Sequence, residues 1–186
     1  MTAVSARKTF GSQQCSIART LDVVGDWWTL LVLRDVFLGK RRFDDLKTSL
    51  TIATNVLTGR LKRLSDAGIL ERRAYQEHPA RFEYMLTDKG RDLYPVLIAL
   101  LQWGDRHMRD GADDAPPRVL VHEACGNPTH ATLTCSHCRS EITARNARTI
   151  ARTELGVKAK PLAPATRVRA RALRASPASP SSRSRS

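Results

Sequence analysis

The sequence predicts a mainly α fold carrying one two-stranded β wing, followed by a small Cys/His-containing extension and a disordered basic tail. Three observations predict this. Apolar residues recur at helical spacing across residues 16–67 and again across 93–108. Between them, across 69–87, the period changes to strand-like alternation around a polar, proline-containing segment. Beyond residue 109 that periodicity stops, giving way to spaced Cys and His residues and then to Ala, Arg, Pro and Ser. The corresponding boundaries are a flexible start (1–14), a core (15–109), a linker (110–118), the extension (119–144) and the tail (145–186).

The elements follow in order. Residues 16–25 read as a first helix, with Ile17, Ala18, Leu21 and Val24 on one side. Asp26 caps a second, WWTLLVLRDVFLG, which is apolar on nearly every side and so is expected to be buried all round, with Trp27 and Trp28 as core anchors. Gly39 ends it. Phe43, Leu46 and Leu50 then mark one face of a short helix. Ala53, Val56, Leu57, Leu61, Leu64 and Ala67 mark one face of a longer helix. Thr51 is the expected N-cap of that longer helix and Gly68 the left-handed residue beyond its end. Its other face presents Thr54, Asn55, Thr58, Arg60, Lys62 and Arg63, which are all donors with no carboxylate among them. A donor-rich helix propped on a shorter one is what a DNA major groove accepts, although a solvated helical hairpin shows the same pattern.

Residues 69–75 and 81–87 are expected strands joined by a QEHPAR tip, with Phe82, Tyr84 and Leu86 on the half-buried side. A hairpin in this place is a wing. His78 and Arg81, together with Arg72 and Arg73, would reach a neighbouring phosphate backbone or minor groove. Thr87 should cap a last long helix, kinked in its first turns by Pro95. Its wide apolar face (Leu93, Val96, Leu97, Leu100, Leu101, Gly104 and Met108) suits either a dimer contact or closure of the monomer's own core.

Charge narrows the partner. The formal net charge is +13, but residues 145–186 hold eleven Lys/Arg against Glu154 alone, which leaves only +3 for everything before them. More telling is the stretch 40–63, where Lys40, Arg41, Arg42, Lys47, Arg60, Lys62 and Arg63 face only Asp44 and Asp45. The start of the chain has no apolar run behind Arg7 and Lys8, so it is not a secretory signal. The apolar stretch 21–38 contains Asp22, Asp26, Arg34 and Asp35 and does not read as a membrane span. A cytoplasmic protein without a membrane partner is the expectation.

The runs CSIARTLDVVGDWWTLLVLRDVFLGKRRFDDL, NVLTGRLKRLSDAGILERR, YQEHPARFEYMLTDKGRDL and PVLIALLQWGDRH resemble the HxlR-type transcriptional regulators, winged helix-turn-helix proteins distantly similar to the MarR group. The resemblance covers about residues 15–109. It implies a homodimer on double-stranded DNA at a near-palindromic operator, with the 53–67 helix reading bases and the 76–81 tip touching backbone. It also implies a regulator, expected to be a repressor, and no enzyme. Gly59 departs from the family, which more often has a polar helix former there. On the reading face, Arg60 or Arg63 could pair bidentately with guanine and Asn55 with adenine, each good pair being worth roughly 1–3 kcal/mol of discrimination. Thr54, Asn55 and Thr58, in the first turns, are better placed for bases, and Lys62, Arg63 and Lys47 for phosphates.

Four cysteines in such a chain point to metal or redox chemistry. Cys15 stands just before the first helix, where a thiol's pKa can fall. Some members of the resembled family use a cysteine so placed to sense quinones, aldehydes or oxidants; packing at a dimer interface is the other reading. His122-x2-Cys125 and Cys135-x2-Cys138, nine residues apart, resemble a short zinc ribbon holding a structural Zn²⁺, with His130 and His137 as rival ligands. A redox CxxC and incidental cysteines are the alternatives. A Cys3His set is fully ligated by protein and leaves no open position for a reaction. A rival to the regulator reading is a winged-helix adaptor that partners other proteins through the Cys/His extension. The tail could add phosphate contacts that do not depend on sequence, or act only as a solubilising appendage.

Overall fold

The structure, a computed structural model, describes residues 10, 14–108 and 115–150. The expected tail lies outside the described residues from 151 onward, as do most of the N-terminal segment, residue 109 and residues 110–114 of the linker. Among the described residues six helices run in order: α1 (Ser16–Val24), α2 (Trp27–Phe37), α3 (Phe43–Leu50), α4 (Thr54–Asp66), α5 (Asp88–Arg91) and α6 (Tyr94–His107). Strands β1 (Leu70–Gln76) and β2 (Arg81–Leu86) form the wing, and β3 (Val121–His122) pairs with β4 (Asn127–Pro128) in the extension. Among the described residues no helix is long and apolar enough to cross a membrane.

Helix α2 is the hub because it is apolar around most of its girth, so α1, α3, α4, α6 and β2 all pack on it. Val32 and Leu33 are fully buried, against Leu46 of α3 and Leu57, Leu61 and Leu64 of α4. Each such leucine contributes about 1.5–3 kcal/mol by leaving water. Asp26 caps α2 as expected, accepting from the Trp28 N–H at 3.0 Å. Trp28 packs against the core. Trp27 does not: it is 76% exposed, because it occupies the first turn of α2, where no neighbour covers it. The α1 face also divides. Ala18 and Val24 are buried, but Ile17 is 72% exposed and Leu21 is exposed as well.

The turn between α3 and α4 differs from the expected one. Thr51 is the C-cap of α3, in the left-handed conformation (φ 49°), and does not cap α4. The residue before α4 is Ala53, which makes no side-chain cap and is exposed, while Ile52 fills the core beneath the turn. A left-handed residue reverses the chain in the fewest steps, which a tight two-helix unit requires more than it requires a hydroxyl cap. At the other end of α4 Gly68 does what was expected. It has φ +66°, its N–H donates to Ser65 O at 2.9 Å, and the Ile69 N–H donates to Leu64 O at 2.9 Å. These two bonds satisfy orphan helix carbonyls and aim the chain into β1.

The wing pairs Leu70 with Leu86, Arg72 with Tyr84 and Ala74 with Phe82, with a bulge at Tyr75 before Gln76 meets Arg81. One further bridge, Arg42 to Glu83, together with Tyr84 N–H donating to Arg41 O at 2.8 Å, adds the segment before α3 to the wing's edge. The strand pattern gave no sign of this, since a single bridge needs no alternation. The last long helix is in fact two. Thr87 caps only α5, accepting from Gly90 N–H at 3.1 Å, and Pro95 opens α6 instead of kinking it. Pro has no N–H to continue a helix but fits a first turn, where that N–H would be unpaired anyway. Gly90 is the place where α5 meets the wing: a Cβ there would lie 2.2 Å from Ile69 O.

Candidate nucleic-acid interface

The candidate reader is α4, seated on α3 by Leu57, Leu61 and Leu64. Thr54, Asn55, Thr58 and Lys62 are exposed on its other side. Thr58 donates its hydroxyl to Thr54 O (2.8 Å), and the Asn55 side-chain oxygen accepts from the Val56 N–H (2.9 Å). Lys62 pairs with Asp66 one turn on at 2.6 Å, an exposed pair contributing little in water. Lys47 is exposed beside the turn, in an open concavity of about 510 Å³ that also takes in Thr48 and Thr51. His78 and Arg81 are exposed at the wing tip.

Arg60 and Arg63 are placed differently. Arg60 turns back to Asp26 at the start of α2, with a 2.8 Å ion pair and a side chain only 25% exposed. Arg63 donates to the backbone carbonyl of Asp22, one of the orphan carbonyls near the C-terminal end of α1. Together they fasten α4 to the α1–α2 connection. Arg72 and Arg42 are likewise occupied, stacked over Phe82 (3.4 Å) and Tyr75 (4.6 Å). The exposed polar side chains of α4 are therefore mainly those of Thr54, Asn55, Thr58 and Lys62.

Between α2 and α3 lies a polar anchor that the sequence reading did not single out. Asp35 is fully buried on α2. It accepts from Arg34 Nε at 2.9 Å and pairs with Lys40 Nζ at 3.1 Å, and the Lys40 ammonium also donates to Ser49 Oγ on α3. Burial pushes the Asp35 carboxyl up, but hydrogen bonds from Ser49, Arg34 and Lys40 outweigh it and hold the group below the usual carboxylate range. An acidic residue inside an otherwise apolar helix, with Lys five residues on, was the available signal.

Helix α6 is apolar on two sides. Leu93, Leu97 and Ile98 turn inward, whereas Val96, Leu100 and Trp103, at i, i+4 and i+7, are 46%, 48% and 53% exposed. Cys15 is exposed at the N-cap of α1 and makes no cap hydrogen bond. In the extension, two turns bring the Cys/His residues into pairs. The His122 ring nitrogen Nδ1 lies 3.4 Å from Cys125 Sγ, and the free thiols of Cys135 and Cys138 are joined by a hydrogen bond. The Cys125 thiol is drawn down to about 7, first by hydrogen bonds from the Asn127 backbone and side chain and then by His122. Hydrogen bonds from the Ser140 side chain and backbone, then from Cys135, lower Cys138. His130 and His137 are exposed, and among the described residues no group of three or more Cys, His, Asp or Glu lies close enough together to hold a metal.

Comparison with known proteins decides the family. The HxlR-like helix-turn-helix family matches residues 23–112. The chain is 44% identical over 131 residues to Rv3095, an HTH-type transcriptional regulator of Mycobacterium tuberculosis, covering 70% of this chain and 82% of the relative. The chain belongs to the HxlR-like helix-turn-helix family. Among solved structures this HxlR-like protein is similar to PA1607, a candidate transcription factor, with 35% identity and a TM-score of 0.67 over 77% of this chain and 99% of that one. A second, PA1374 of Pseudomonas aeruginosa, is 38% identical with a TM-score of 0.53, covering 74% and 92%. The HxlR-like chain is thus a transcriptional regulator with a winged helix-turn-helix, DNA-binding fold, and its relatives are regulators and not enzymes.

Proposed function

We propose that this HxlR-like chain acts as a homodimeric repressor on a near-palindromic operator. The observation that carries this is the bare, donor-bearing surface of the first turns of α4, combined with the second, uncovered apolar stripe on α6. Such a stripe buries its area by meeting its own copy, and twofold pairing presents two readers to half-sites one helical turn apart. Thr54, Asn55 and Thr58 face bases, Lys62 and Lys47 face phosphates, and His78 and Arg81 on the wing reach the adjacent backbone. Arg60 and Arg63 hold the angle of the reader and do not themselves read. The test is titration of the protein's own upstream duplex against a random duplex across a range of salt. Asn55→Ala should cost about 1–3 kcal/mol on the operator and relax specificity at one position in each half-site, whereas Lys62→Ala should weaken both duplexes alike and lower the salt slope. Equal wild-type affinity for both duplexes at every salt concentration rejects the reading.

The Cys/His extension fits a structural zinc role within the same protein. Not one of residues 115–150 is buried, so apolar burial cannot account for the regular turns there. Chelation supplies folding energy that such a module lacks. A tetrahedral zinc site sets its N and S ligands about 3.6 Å apart from bond lengths alone, close to the His122–Cys125 separation of 3.4 Å. An ion would draw the Cys135–Cys138 pair onto this one. Metal analysis of the purified chain should find one zinc per protomer, lost in Cys125→Ser or Cys138→Ser; a metal-free protein with an unchanged extension overturns the role.

A further inference from the structure

One residue on the reader has no explanation inside the protein. Gly59 lies in the interior of α4, and glycine is the least favourable helix residue after proline. Its φ is not in the left-handed region, and a Cβ placed on it would meet nothing within 4 Å. Neither backbone conformation nor internal packing therefore calls for glycine there, in contrast to Gly68 and Gly90. Its place in the helix is informative. At 100° per residue, Gly59 falls opposite the buried line of Leu57, Leu61 and Leu64, between Asn55 and Lys62 on the outward side. Gly59 lines an open concavity of about 490 Å³ there, bordered also by Asn55, Val56, Arg60, Lys62, Arg63 and Asp66.

We propose that Gly59 is a specificity-determining residue: its bare backbone lets the duplex approach α4, and the concavity takes the 5-methyl group of a thymine against Val56. This rests on the reading of α4 as the groove-facing helix. The chemistry is matched on both sides. A thymine methyl is the one apolar group in the major groove, and Val56 supplies an apolar wall to the recess. Asn55, the neighbouring amide, is suited to the N6 and N7 atoms of adenine, so one turn of helix would read an A·T-containing step. A side chain at residue 59 would project from the outward backbone into the recess and hold the helix away from the base edges.

The test uses the full chain and an operator duplex selected by the wild-type protein. Gly59→Ala is expected to raise Tm by about 3–5 °C, as removal of an unneeded helical glycine should, and at the same time to lower operator affinity about tenfold, a larger loss than on a random duplex. Replacing thymines one at a time by uracil removes only the methyl. At one position in each half-site this should weaken wild-type binding several-fold and leave Gly59→Ala binding unchanged. A Gly59→Ala protein that binds the operator as tightly as wild type, that loses Tm, or whose uracil profile matches the wild-type one overturns the inference. Failure of the wild-type protein to prefer any duplex would instead remove the regulator reading on which it rests, so the two failures are distinguishable.

Discussion

Leu100→Glu is expected to turn the proposed dimer into a monomer and to lower operator affinity by about two orders of magnitude or more. The side chain lies in the middle of the uncovered stripe of α6, between Val96 and Trp103, and is 48% exposed in the single chain. Twofold pairing would place two introduced carboxylates in one apolar contact, where burying unpaired charge costs several kcal/mol. Each monomer would keep its reader, but binding to the second half-site would no longer be intramolecular, and that term alone commonly amounts to 10²–10⁴ in affinity. Because the residue is not part of the monomer's own core, Tm extrapolated to low protein concentration should change little. Light scattering gives the mass and anisotropy the affinity. A variant that stays dimeric, or a monomer that binds as the wild type does, would show that α6 only closes the protomer.

Asp35→Asn is expected to destabilise the fold by roughly 2–3 kcal/mol at pH 7, loosening the junction of α2 with α3. The carboxylate is fully buried and satisfies both Arg34 and Lys40. Charged hydrogen bonds of this kind contribute about 1.5–3 kcal/mol, and removing the anion leaves its cationic partners uncompensated. The pH dependence has a definite sign. The folded-state pKa lies below the ordinary value of 3.8, so the unfolded chain takes up the proton first on acidification. The stabilisation is therefore complete above the unfolded pKa and disappears as pH falls through the lower folded value. Denaturant titrations should show the wild-type advantage over Asp35→Asn constant from pH 7 to about 5 and shrinking below about 4. A gap that does not change down to the acid limit would mean that the carboxylate charge is not what stabilises the site.

How far the site could be read from sequence depended on whether a feature was local. The donors Thr54, Asn55, Thr58 and Lys62 were legible because a helix's own period separates a buried line from an outward one. The charge count over 40–63 misled for the opposite reason. It saw two carboxylates, yet Asp26 holds Arg60, the Asp22 carbonyl holds Arg63, Asp35 holds Lys40, and Tyr75 carries Arg42. None of these partners lies within that window. Lys62 likewise pairs with Asp66, so five of the window's seven cations are engaged with residues outside it and the count overstated the free positive surface.

The sequence by itself determined which segments are helical, where the hairpin lies, how α4 ends at Gly68 and which family the chain resembles. Each of these follows from spacing, caps and turn residues within a few positions of one another. Only the tertiary structure decided that Trp27 and Ile17 stay exposed, that Thr51 reverses the chain and does not cap it, and that two arginines brace the reader. Apolar period shows that a face must be covered and is silent on what covers it. A basic side chain's partner is likewise fixed by three-dimensional proximity, which sequence separation does not encode.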